Sequence, residues 1–267
     1  MIKDFTDLNL DVYRKTENQL KPQLILHIPH SSINIPILDG YVIDDISLNK
    51  ELIKLTDWYT DDLFYSANDE LIVADFSRIF CDPERFTDDA QEVMAQFGMG
   101  VLYEKTDEGE LMRMVTPELR EKVLSVYYWK HHQKFSKAVQ NQLDLFGKAL
   151  IVDCHSYPSI PLTRDLDKSS KRPDFNIGTD AFHTPQKLID LSVSFFEKAG
   201  YSLGVDWPYK GSIVPMEYYQ KNKNVQTIML EINRALYLNE PTNEKSEHYL
   251  EIKKVVGEYV NVLKDQL

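Results

Sequence analysis

Glycine is scarce in this chain, with 10 residues in 267, and neither GxGxxG nor GxxxxGK[ST] occurs. Without a glycine-rich turn before a helix there is no dinucleotide or P-loop phosphate cradle to expect. Cysteine is scarcer still. Cys81 and Cys154 both sit inside apolar segments, which excludes a disulfide framework and fits a reducing compartment. Basic charge is outweighed, 30 Lys and Arg against 42 Asp and Glu, for a net charge of -12. With no run of like charge either, nucleic acid and anionic membrane are poor partners, although a local arginine can still receive a small anion in a cleft. No stretch approaches the ~18 apolar residues that span a bilayer. The opening "MIKDFTDLNLDVYRKTENQLK" has no apolar core of the kind a signal peptide needs. These absences lead us to expect a soluble, cytoplasmic protein. There is no internal repeat and no low-complexity tract.

What is present is enough hydrophobic material, 43% of residues, for a substantial core. Five short apolar runs read as buried strands: "QLILHI" (23–28), "LIVADF" (71–76), "ALIVDC" (149–154), "SLGVDW" (202–207) and "TIMLEI" (227–232). Near-continuous apolar runs of this length suit strands covered on both faces. Helical patterns alternate with them. Residues 49–67 place Leu52, Leu55, Tyr59, Leu63 and Phe64 close to a 3.6 period. Thr116-Pro117 opens a helix predicted to run to Phe146 with Gly147 as its stop, and Thr184-Pro185 opens another that ends at Gly200. A last helix spans about Glu244 to Leu263. The expected fold is α/β, a three-layer α/β/α sandwich on a mixed, largely parallel sheet, in one domain over residues 1–267. The polar segments 88–115 and 161–176 read as loops over one sheet edge. Sites in such folds form beyond the carboxyl ends of strands.

The titratable residues gather there. His30 follows the first strand, Asp82, Glu84 and Arg85 follow "RIFC", Asp153 and His155 close "LIVDCH", and Glu231 ends "TIMLE". Two histidines from separate strand ends plus one carboxylate make a catalytic zinc set with a fourth position for water. His27 lies inside an apolar run and reads as a core or supporting histidine rather than a ligand. Asp153, two residues from His155 on a strand, is placed to orient that ring. Cys154 faces the other way and reads as a small core residue. Asp57 and Asp61 stand at i and i+4 of the expected helix, which by composition alone is a solvated acidic face. Asp61 and Asp62 are expected to be solvated.

The motifs "PHSSINIP" (29–36), "TDWYTDDLF" (56–64), "SRIFCDPERF" (77–86), "VDCHSYPS" (152–159) and "LEINRALYL" (230–238) resemble, in order, those of the N-formylglutamate amidohydrolase family. "YYWKHH" (127–132) and "WPYKGS" (207–212) resemble two further segments of it. The resemblance implies a phosphorylase/hydrolase-like fold as in zinc carboxypeptidases, one Zn2+ per chain (another divalent ion being open), and hydrolysis of the formyl or acyl amide of a small anionic amino acid. By motif it implies His30, Asp57 and His155 as metal ligands and Glu231 as the catalytic general base. It implies Arg78 and His132 as further catalytic groups, with Arg85, Lys210, Gly211 and Arg234 around the substrate. Asp61 stays open as the alternative carboxylate, and Ile33 stands where related zinc peptidases place a Glu. For His132, contact with the oxyanion or capping of a packed helix are both open. For Arg234, pairing with a surface acid is the alternative. The chain departs from the family in Glu84, where "DxNR" is usual, and in Lys130-His131, in place of Pro-Tyr; Glu84 either weakens anion binding or pairs with Arg85. Rival readings are a deacylase or small-peptide amidase of other acyl specificity and a non-catalytic binding protein on the same fold. Acyl transfer by Ser156 lacks the nucleophile elbow it would need.

Overall fold

The protein is described from a computed structural model, over residues 21–267. The N-terminal stretch read above for a signal peptide falls almost wholly outside the described residues.

Four parallel strands form the chemical half of a six-stranded sheet: β1 (Ile25–Ile28), β2 (Glu70–Val73), β3 (Ala149–Tyr157) and β6 (Val225–Asn233), with β4 (Phe175–Gly178) and β5 (Leu203–Val205) beyond β6. The order is β2-β1-β3-β6-β4-β5; β4 runs antiparallel to β6 and β5 parallel to β4. All of the expected strands are present, and the sheet is mixed as expected. β4 is the strand that the sequence hid. It overlaps the end of the segment read as a loop, because only four residues, "FNIG", separate the polar run before it from Thr179-Asp180.

Alternation along the strands sorts core from chemistry. His27 is in register with Asp153, Asp153 with Met229, and His155 with Glu231, so all five side chains share one face. Farther down, that face carries Ile25, Ile151 and Val225, which pack on Phe135, Ala138 and Val139 of the long helix α4 (Trp129–Phe146). The opposite face carries Leu26, Val152, Cys154 and Leu230 into a larger cluster with α5 (Gln186–Ala199) and α6 (Tyr249–Lys264). Cys154 is thus a core residue, and both cysteines are free and buried. Helices on both faces give the three layers. Among the described residues, no helix is long and apolar enough to cross a membrane.

Three expected helices differ in detail; the last starts at Tyr249 rather than about Glu244, since Glu244–Lys245 pairs as a short strand with Leu238–Asn239. Residues 49–67 do not form one helix. α1 (Asp45–Leu55), capped by Asp44 accepting from the Ser47 N–H at 2.7 Å, stops at Leu55, and α2 (Thr60–Leu63) starts after the left-handed Tyr59 at φ 62°. The apolar stripe is split, Leu55 packing into one cluster and Leu63 and Phe64 into another, so no single helix serves both. In the gap the Asp57 N–H donates to the His30 carbonyl at 2.9 Å. Asp62 is also not simply solvated: Tyr249, Lys245 and Lys253 all donate to it, and the hydrogen bonds from Lys253 and Tyr249 hold its carboxyl down at about 2.

The helix opened by Thr116 and Pro117 does run to Phe146, with Gly147 at φ 74° closing it. It contains a π-helical turn, Leu124–Tyr128, between α3 (Pro117–Val123) and α4. The wider turn sits directly before the segment that presents His131 and His132, and such turns often occur at functional sites.

Gly178 is a close-approach position. A Cβ there would lie 2.1 Å from the Gly211 carbonyl oxygen, a backbone atom that cannot swing aside. We therefore expect Gly178→Ala to displace the 207–212 turn and to cost about 1–3 kcal/mol. A denaturant midpoint unchanged from the parent chain would contradict this packing.

Candidate active site

β1 ends at Ile28, and Pro29 turns the chain so that His30, 1% exposed, faces the carboxyl end of β3. There His30 Nδ1 lies 3.3 Å from His155 Nδ1, Asp57 Oδ2 lies 3.1 Å from His155 Nδ1, and His30 Nδ1 lies 3.6 Å from Asp57 Oδ2. Four ligands disposed tetrahedrally at ~2.0–2.1 Å from an ion are about 3.3 Å apart. The three atoms are spaced to hold a divalent cation and leave a fourth position open. Asp57 is buried at 1% exposure while Asp61 is exposed, which separates the two candidate carboxylates. Ile33 is 51% exposed and far too apolar to join them.

Each ligand candidate is held from behind. His30 Nε2 donates to Asp82 Oδ1 at 2.8 Å, and Asp82 is itself bound by Arg78 at 3.1 Å and by the Tyr103 hydroxyl at 2.9 Å. Burial raises the Asp82 pKa, yet the His30 ring and the Arg78 and Arg85 guanidiniums more than offset that and keep it well below the carboxylate range. Asp57 receives Arg234 at 2.9 Å. Burial would raise its carboxyl as well, but hydrogen bonds to His155 and His30 and the nearby guanidinium hold it far down. His155 Nε2 lies 3.1 Å from Asp153 Oδ1 and 3.2 Å from Glu84 Oε1. Against the effect of burial, Glu84, Asp153 and Asp57 push the His155 pKa well above that of a free imidazole.

Glu231 sits beside this group on β6, 7% exposed, and among the described residues its Oε2 has no hydrogen-bond partner. Burial is the largest cause of its pKa rising to about 8, and the Asp57 charge adds to the rise. Buried polar oxygens are normally hydrogen-bonded, so this one marks Glu231 as a functional candidate.

These groups open into a cleft of about 650 Å³ whose lining includes Arg78, Arg85, Tyr103, Arg164, Lys210 and Arg234. Among the described residues the buried Nε of Arg85 has no hydrogen-bond partner, with Asp82 and Glu92 at 3.7 and 3.9 Å. Of the two alternatives for Glu84, the ion pair with Arg85 does not form; Glu84 turns instead toward His155, and its Oε2 lies 3.7 Å from His30 Nε2. Lys210 lines the cleft, and Gly211 at φ 93° makes the tight turn after it. Arg234 is 4% exposed, and its partner is the buried Asp57 rather than a surface acid. It also donates to the Lys54 and Ser156 carbonyls and to the Ser156 hydroxyl. His132 is not among the lining residues. Its Nε2 donates to the Pro83 carbonyl at 2.8 Å, and Tyr128 donates to the Arg85 carbonyl at 3.0 Å, so this helix grips the turn that carries Glu84 and Arg85.

A model of the N-formylglutamate amidohydrolase family matches residues 22–238. The chain belongs to that family. Among the relatives of this amidohydrolase, the N-formylglutamate deformylase of Pseudomonas putida is 28% identical over 229 residues, 81% of this chain and 82% of the relative. That of Pseudomonas aeruginosa is 25% identical over the same shares. The crystal structure of N-formylglutamate amidohydrolase from Ralstonia eutropha superposes with a TM-score of 0.81 at 22% identity, covering 92% of this chain and 94% of that one. A protein from Agrobacterium tumefaciens has a TM-score of 0.63 at 16% identity, over 93% of this chain and 94% of that one. The amidohydrolase is thus an enzyme of the class that hydrolyses amide C–N bonds.

The structure brings His30, Asp57, His155 and Glu231 to one cleft, but sequence reading missed how they are tied together. Tyr103, which holds Asp82, and Arg164, which hydrogen-bonds the Asp107 carbonyl at 3.0 Å, stand in aperiodic polar loops that carry no signal. His27 and His131 meet through their Nε2 atoms at 2.9 Å, a contact between β1 and α4 that no local pattern reports.

Proposed function

We propose that this amidohydrolase is a zinc-dependent deformylase of an N-formyl amino acid with an acidic side chain, N-formylglutamate being the leading substrate. The single observation that carries the reading is the convergence of His30, Asp57 and His155 beside the unpartnered carboxylate of Glu231. The names of the Pseudomonas relatives support the substrate. Two imidazoles and a carboxylate suit zinc, with cobalt or manganese as substitutes. Bound there, the ion would supply Lewis-acid polarisation of the formamide and a lowered pKa for water.

The chain's own groups do the rest. Glu231 takes the proton of the attacking water through its carboxylate and returns it to the leaving nitrogen. Arg78, held against Asp82 and Tyr103, lines the cleft and stabilises the oxyanion. Arg85, which lines the cleft, receives a substrate carboxylate and orients the amide. Lys210, on the turn set by Gly211, takes the second carboxylate. Arg234 positions Asp57, and His132 positions the 83–85 turn.

The test is formate release from N-formylglutamate, measured before and after chelation. Activity should vanish on metal removal and return with zinc. Chelation-resistant formate release would overturn the reading, as would a preference for an acyl group other than formyl. Arg85→Ala should raise KM for N-formylglutamate by about 10- to 100-fold, with a smaller change in kcat. An unchanged KM would remove Arg85 from the substrate.

A further inference from the structure

Behind the three candidate ligands lies a second set of donors. His27 Nδ1 is 2.9 Å from Asp153 Oδ1 and 3.6 Å from Glu84 Oε1. His155 Nε2 is 3.1 Å from the same Asp153 oxygen and 3.2 Å from the same Glu84 oxygen. These four separations bracket the roughly 3.3 Å expected between ligands of one tetrahedral ion, just as those of the first set do. His27, Glu84 and Asp153 also place one ligand atom each within 4.8 Å of one another. We propose that His27, Glu84 and Asp153, completed by Nε2 of His155, form a second divalent-cation site, so that the His155 ring stands between two ions.

The site is built rather than incidental. His27 is fully buried, and its ring lies flat on Phe135 at 4.6 Å with an 8° tilt, which fixes the direction of Nδ1. Asp153 is 2% exposed, and its other oxygen accepts from the Ile213 N–H at 3.1 Å, which leaves Oδ1 aimed inward. Among the described residues, neither Glu84 nor Asp153 has a Lys or Arg partner; the basic groups within 4 Å of them there are histidines. By contrast Asp82, which also approaches Glu84, already has Arg78, and Asp57 has Arg234. Two inward carboxylates without an Arg or Lys are where a cation is most stabilised. His131 supplies the remaining element. Its Nε2 is 2.9 Å from His27 Nε2, so it can accept from His27 in the Nε2–H form that a cation bound at Nδ1 requires; without the ion, Nδ1–H donates to Asp153. Filling both sites takes both ring protons from His155, one for each ion. A mixed imidazole and carboxylate set of this size suits zinc, cobalt or manganese rather than calcium.

The simpler arrangement is that Asp153 and Glu84 only accept hydrogen bonds from the two imidazoles. Metal stoichiometry separates the two. Metal-free full-length protein would be titrated with Zn2+ against a chromophoric chelator, alongside Glu84→Gln. The expected result is two equivalents in the parent and one in the variant, whose remaining site keeps its affinity to within about tenfold, the range over which an outer-shell partner acts. Substitution with 113Cd should likewise give two resonances in the parent and one in the variant. A single equivalent in both proteins overturns the second site and leaves the His30, Asp57 and His155 reading standing. No stoichiometric ion in either overturns both. One equivalent in the parent and none in Glu84→Gln supports the rear set and contradicts the front one.

Discussion

Glu231→Gln should lower kcat by roughly 10²–10⁴-fold while metal content and substrate binding are retained. The amide has the size of the carboxyl but cannot take a proton from water. The same substitution should change stability in the opposite sense. The carboxyl has a pKa of about 8 in the folded, metal-free protein against 4.5 for the ordinary group. A raised folded pKa means that the folded state holds its proton more tightly. Its contribution is complete below pH 4.5, declines as pH rises, and is gone above about pH 8, where a buried charge remains. Gln never ionises, so metal-free Glu231→Gln should gain on the parent between pH 5 and pH 8, by roughly 2–4 kcal/mol at the upper end. Thermal melts across that range read the divergence. Parallel melting curves at every pH would mean that Glu231 is not desolvated, and undiminished turnover would remove it from the chemistry.

Arg234→Met should be the most damaging single change to stability near the site. The guanidinium is buried against Asp57 at 2.9 Å and against two backbone carbonyls. Removing it leaves a buried carboxylate without its cation, a change that costs about 3–5 kcal/mol. In a chain of this size that is a fall of roughly 10 °C in Tm. Because the loss comes from the stranded charge, adding Asp57→Asn should restore part of it, giving a strongly non-additive double-mutant cycle. A cycle that closes additively, or a loss under 1 kcal/mol, would show that the pair is solvated.

The parallel core of the fold was legible because its strands are covered on both faces and read as unbroken apolar runs. β4 was not, since "FNIG" is short, begins at the end of a polar loop, and is made a strand by antiparallel pairing with β6. The site followed the same division. His30 follows β1, and His155 and Glu231 lie two residues before the ends of β3 and β6, so topology alone brings them to one rim. Asp57 needed motif resemblance, because a 3.6 period runs through it. Its actual position is set by a helix break that no propensity announces and by a hydrogen bond to the backbone of His30. The direction of Glu84 was out of reach for a different reason. Adjacency to Arg85 suggests a pair, but the turn after Asp82, gripped by His132 and Tyr128, points the two side chains to different partners.

Anomalous diffraction at the zinc edge, from crystals of zinc-loaded protein, tests the central claim most directly. We predict a peak about 2.1 Å from Nδ1 of His30 and of His155, with an Asp57 oxygen at the same distance. Active, zinc-loaded protein with no peak among those three atoms would contradict the account.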